Sequence, residues 1–120
     1  MGRVLTTSER GLEITVLQAD DGVIVRLSGP IDVNSSPDLR DRLLAILSDE
    51  PSPRPITVDL AGVSYIETSG IATLIEALKI TRHHQTTLCL QGLSSSVLRL
   101  FEVTGVLALF EASDCGRKVS

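Results

Sequence analysis

Two adjacent hydroxyls, Thr68 and Ser69, stand between an acid, Glu67, and a glycine, Gly70, where a strand-and-loop run gives way to a helical one. Thr and Ser are preferred helix N-caps, because the side-chain oxygen accepts an N–H that the first turn leaves open. The same position suits a phosphoacceptor. A phosphate there meets exposed N–H groups and the positive end of the helix dipole. It would add about −1.5 to −2 charge without requiring unfolding. The residues alone leave capping and phosphorylation both open. Glu67, next to the hydroxyls, would add to the repulsion around a phosphate.

Other constellations are thinner. Asp32, Asp59 and Glu67 are the acids nearest to predicted strand ends. A paired-carboxylate hydrolase needs two acids facing one pocket, and there is no aromatic platform for a sugar: Tyr65, Phe101 and Phe110 are the only aromatics besides histidine. His83 and His84 are adjacent, so on a helix they point about 100° apart and do not make a two-ligand face. As helix-end cations they suit the dipole instead. Cys89 and Cys115 show neither CxxC spacing nor a histidine cluster. They read as one core thiol and one tail thiol, both reduced, in a cytoplasmic protein. There is no GxSxG, no P-loop and no GxGxxG. The expectation is a binding protein rather than an enzyme, with no cofactor and no metal.

The chain that must position these residues has 120 amino acids, 15 acidic and 11 basic, for a net charge of −4. That length suits one domain, large enough to bury roughly two-thirds of its unfolded surface. With 42% hydrophobic residues it is too apolar for disorder. Acidity and the lack of aromatics argue against nucleic-acid binding. No apolar run reaches the ~20 residues of a membrane span, and no signal peptide is visible. Met1 to Thr6 matches the myristoylation pattern formally, with no other sign of a lipid anchor.

Residues 1–11 are polar and aperiodic and read as a flexible arm, 12–110 as the domain, 111–120 as a polar tail. Residues 12–17 alternate as a half-buried strand does. Asp20-Asp21-Gly22 reads as a hairpin turn and 23–28 as the returning strand, closed by Gly29-Pro30. Ser36 as N-cap, Pro37 in the first turn and the stripe Leu39, Leu43, Ile46, Leu47 predict a helix. Pro51 to Pro55 ends it. A strand over 56–60, a helix with the stripe Ile71, Leu74, Ile75, Leu78, and a strand over 87–90 follow. Ser94 caps a third helix, with Gly105 at its C-terminal cap. Val106 to Phe110 reads as a fifth, short strand. The alternation predicts an α/β fold: a mixed, mostly parallel sheet of four to five strands with an antiparallel edge strand and three to four helices.

Four stretches resemble the STAS domain, in particular the bacterial anti-sigma factor antagonists. They are Leu27-Ser28-Gly29-Pro30-Ile31-Asp32, Val58-Asp59-Leu60-Ala61-Gly62-Val63, Ile66-Glu67-Thr68-Ser69-Gly70-Ile71 and 96–106. The third resembles the family's I-D-S-[ST]-G-L signature, with Glu67 for the usual Asp and Thr68 for the commoner Ser. The resemblance implies that Thr68 is the phosphoacceptor, with Ser69 as runner-up. It implies that Asp32, Glu67, Ser69, Gly70 and Ile71 serve partner binding, with the helix over 70–82 supplying much of the docking face. The implied partners are an anti-sigma factor with serine/threonine kinase activity and a phosphatase for reactivation; the unphosphorylated form would sequester the anti-sigma factor and free a sigma factor. The alternative it leaves is a STAS scaffold or accessory subunit, of a stress-signalling assembly or of a transport system, that binds its partner constitutively.

Overall fold

The alternating runs become strands, and each strand buries every second side chain. A computed structural model describes residues 4–9, 11–19, 22–49 and 55–111. The strands are β1 (Val4–Glu9), β2 (Leu12–Ala19), β3 (Gly22–Ser28), β4 (Ile56–Gly62) and β5 (Leu88–Gln91). The helices are α1 (Ser36–Asp49), α2 (Thr68–His83), α3 (Ser95–Val103) and α4 (Val106–Glu111). The five strands form one sheet in the order β1-β2-β3-β4-β5. β1, β2 and β3 pair antiparallel; β3, β4 and β5 pair parallel. Ala19 opposite Gly22 fixes the register of the β2–β3 hairpin; Asp20 and Asp21 lie outside the described residues, as do 50–54 of the proline-rich connection.

Leu12, Ile14 and Val16 of β2, Val23, Val25 and Leu27 of β3, Ile56, Val58 and Leu60 of β4, and Leu88 and Leu90 of β5 point to one face and are buried. The inner stripes of the helices complete the same core: Leu39, Leu43 and Leu47 of α1, Leu74, Ala77 and Leu78 of α2, Val97 and Phe101 of α3, Val106 and Phe110 of α4. The other face of the sheet carries Glu13, Arg26, Thr57, Asp59 and Cys89. Cys89 is half-buried and disulfide-bonded, so the reduced thiol expected there is corrected; Cys115 lies outside the described residues.

Two further expectations are overturned. Residues 4–9, expected within a flexible arm, pair along their whole length with β2. The segment does not alternate, but Val4, Thr6 and Thr7 are β-branched and suit an edge strand. The antiparallel edge therefore has one more strand than expected. The run Val106–Phe110, expected as a strand, is the helix α4. A five-residue apolar run does not distinguish the two by periodicity. Val106 and Phe110, at i and i+4, are the residues that α4 buries. Arg82 Nη2 also donates to the Leu109 carbonyl at 2.9 Å, which satisfies one acceptor near the end of α4. Gly105, at φ +77°, turns the chain between α3 and α4 as its cap position predicts.

Arg40 and Glu76 join α1 to α2 through two parallel hydrogen bonds of 2.8 and 2.9 Å. The hydrogen bond from Arg40 holds the Glu76 carboxyl below the usual carboxylate range. Such a group stabilises the fold above its unfolded pKa, near 4.3, and loses that effect as pH falls through its folded value. Both side chains are nearly half exposed, so screening keeps the effect small. Glu76→Gln should lower the urea midpoint slightly at pH 7, and the gap to the parent should close under acid conditions, below about pH 4.

Candidate functional site

The site forms where two strand-end loops meet. After β3, Gly29 donates its N–H to the Gly62 carbonyl at 3.0 Å, which keeps the chain beside the end of β4. Ile31 and Ile66 then form an isolated parallel bridge. Ile31 N–H donates to Tyr65 O at 3.0 Å, and Glu67 N–H donates to Ile31 O at 2.8 Å. This bridge brings Asp32 and Glu67 to one end of the molecule.

Asp32 shapes the turn into α1. Its Oδ1 accepts from the backbone N–H groups of Asn34 at 2.9 Å and Ser35 at 3.0 Å. Ser35 Oγ donates to Pro30 O and accepts from Asp32 N–H, both at 3.0 Å. Ser35 and Ser36 are buried beneath this turn, and the Ser35 carbonyl accepts the Leu39 N–H at 3.2 Å. The cap of α1 therefore falls at Ser35, one residue before the expected Ser36.

Glu67 is the N-cap residue of α2, with extended backbone at φ −97° and ψ 171°, yet its side chain makes no cap hydrogen bond. The carboxylate turns to the neighbouring loop instead. Oε1 accepts from Val33 N–H at 3.1 Å, and Oε2 accepts from the Tyr65 hydroxyl at 2.8 Å. That hydrogen bond, with smaller effects from burial and the nearby charges of Glu67 and Asp32, raises the Tyr65 phenol above its ordinary value.

The two hydroxyls are then placed differently. Thr68 is the first residue of α2 and is exposed. Ser69 Oγ is buried and has no hydrogen-bond partner. Neither is the N-cap, so capping does not account for either hydroxyl, and no side chain closes the first turn of α2. Gly70 and Ile71 are buried and shape the helix end from within. A Cβ on Gly70 would lie 2.4 Å from Ile31 Cγ2 and 2.9 Å from Ile66 Cγ1, the two residues of the bridge. Gly70→Ala should therefore force these side chains apart and lower stability by about 1–3 kcal/mol, read as a lower urea midpoint with an unchanged slope.

Asp59 is not part of this arrangement. It sits on the outer sheet face, 3.5 Å from Arg26, and its Oδ1 accepts from Ala61 N–H at 2.9 Å. His83 and His84 lie at the opposite end of α2, ring centroids 5.7 Å apart. Among the described residues no cluster of three potential metal ligands occurs, and no helix is long and apolar enough to cross a membrane.

Two residues of the site are missed by sequence reading. Val33 is 64% exposed and Tyr65 52% exposed, large apolar side chains at the surface beside Glu67. A signal for Tyr65 exists: in extended chain, positions 65 and 67 share one side. Val33 carries none, because only the pairing of Ile31 with Ile66 brings it near.

A mixed sheet carrying its helices on one face, with an open helix end beside two bridged loops, defines a small α/β domain. The STAS domain family model matches residues 13–119, and the chain belongs to that family. An anti-sigma-B factor antagonist of Listeria monocytogenes is 31% identical over 83% of this chain and 87% of its own length. The anti-sigma-B factor antagonist of Bacillus subtilis is 28% identical over 85% of this chain and 91% of its own. Among solved structures, an anti-sigma factor antagonist from Mycobacterium paratuberculosis shares the fold with a TM-score of 0.69, at 23% identity and 87% coverage of both chains.

Proposed function

We propose that this protein is an anti-sigma factor antagonist whose binding is set by the charge state of Thr68. Unphosphorylated, it sequesters an anti-sigma factor with serine/threonine kinase activity and so frees a sigma factor for transcription. Phosphorylated, it lets go, and a phosphatase restores it. It acts by binding rather than by catalysis, in the cytoplasm. The family and the names of its relatives support the role. The observation that carries the assignment of the phosphoacceptor is the contrast between the exposed Thr68 and the buried Ser69 hydroxyl at one open helix end. A kinase must reach the oxygen it modifies, and of these two residues Thr68 is the exposed one. The phosphate would meet the uncapped first turn and the positive end of the α2 dipole. Asp32, Glu67 and the exposed side of α2 then supply the docking face.

Incubation with the cognate kinase and ATP tests this. Intact mass should rise by one phosphate, peptide mapping should place it on Thr68, and Thr68→Ala should abolish the gain. A phosphate on Ser69, or no gain in the parent, would overturn the assignment.

A further inference from the structure

Glu67 holds two loops at once. One carboxylate oxygen takes the Val33 N–H of the loop that follows β3; the other takes the hydroxyl of Tyr65. Both donors belong to exposed residues, and these two residues carry the exposed apolar side chains at this end of the molecule. The extra methylene of Glu over Asp gives the carboxylate the reach to span them. Because the carboxylate is engaged here, it leaves the N-terminus of α2 uncapped.

We propose that Glu67 is a latch that fixes Val33 relative to Tyr65, and that a negative charge on Thr68 opens it. The inference rests on the reading of Thr68 as phosphoacceptor for the source of that charge. Glu67 and Thr68 are adjacent, so a phosphate of about −1.5 to −2 charge would sit beside the carboxylate. The latch bonds form at the surface, where water replaces a lost partner readily. Repulsion can therefore open them without disturbing the buried bridge between Ile31 and Ile66. Asp32 adds to the same negative field from the other loop, while its own bonds to Asn34 and Ser35 keep the turn formed. In this scheme Glu67 is a positioning residue: a partner that touches both Val33 and Tyr65 meets a fixed pair in one state and an unfixed pair in the other.

The test uses the free chain, so it does not depend on finding the partner. Tyr65 is the only tyrosine and there is no tryptophan, so phenolate absorbance reads this one side chain. In the parent it should titrate above about pH 10, and in Glu67→Gln the midpoint should fall back towards that value. Exchange of the Val33 amide, followed by NMR, should quicken about tenfold in Glu67→Asp and in Thr68→Glu, but stay within twofold of the parent in the uncharged control Thr68→Gln. Equal Val33 exchange in Thr68→Glu and Thr68→Gln would overturn the charge-driven opening, whatever the kinase assay shows. A normal Tyr65 midpoint in the parent would overturn the latch itself. Absence of phosphate on Thr68, with these shifts intact, would instead remove only the proposed source of the charge.

Discussion

Thr68→Glu should weaken binding to the anti-sigma factor at least about a hundredfold, while Thr68→Ala binds within a few-fold of the parent. A hundredfold is about 2.7 kcal/mol, modest beside the several kcal/mol that a like-charge juxtaposition at an interface can cost. The substitution places a permanent acid at the exposed first residue of α2. The positive end of the helix dipole tolerates it, so the fold should be kept. On the proposed docking face the partner, by contrast, would meet a new charge beside Glu67 and Asp32. Titration calorimetry with the purified partner reads the affinity, and far-ultraviolet circular dichroism confirms the fold. Equal affinity for the parent and both variants would mean constitutive binding, as in a scaffold or transport-accessory subunit.

The second large effect is on stability. Phe101→Ala should cost about 3–5 kcal/mol, a large share of the 5–15 kcal/mol that holds a domain of this size. Phe101 is fully buried, and its ring centre lies 6.2 Å from that of Phe110. It is the largest side chain wholly within the core and fastens α3 and α4 to the sheet. Apart from Phe110, the core around it is aliphatic, and short branched side chains cannot fill the space a lost ring leaves. The melting temperature should fall by at least about 10 °C, whereas Phe101→Leu, which keeps most of the volume, should lose much less. A melting temperature within about 2 °C of the parent in Phe101→Ala would show that α3 and α4 contribute little to the cooperative fold.

Much of this was legible in the sequence, for definite reasons. β2, β3 and β4 announce themselves because one face is buried and the other is not, so their residues alternate. The stripes of α1 and α2 show equally well for the same reason. β1 does not alternate, and its place depends on a partner strand rather than on its own pattern. α4 is ambiguous in the sequence because five apolar residues in a row fit either element; the i, i+4 spacing of Val106 and Phe110 is the cue. At the site, the motif located Thr68, but not the fact that Glu67 takes the N-cap position and leaves it unused. A shift of one residue in where helical backbone begins decides which side chain is the cap, and local sequence seldom fixes that. Tyr65 and Val33 reach the same Glu67 carboxylate only because Ile31 and Ile66, 35 positions apart in the chain, form a bridge, which no local pattern encodes.

The strand order of the sheet repeats the order of the chain. No strand has to insert between two others, so each can add to an edge already made. The antiparallel hairpins of β1, β2 and β3 need only short loops to close; β4 and β5 each arrive after a helix. A chain emerging from the ribosome can therefore assemble in sequence, local contacts first. The loop that leads into Thr68 gains its bridge to Ile31 only once β4 has docked. A truncated or half-made chain thus lacks the assembled end, and competence to signal arrives late, as a property of the finished domain.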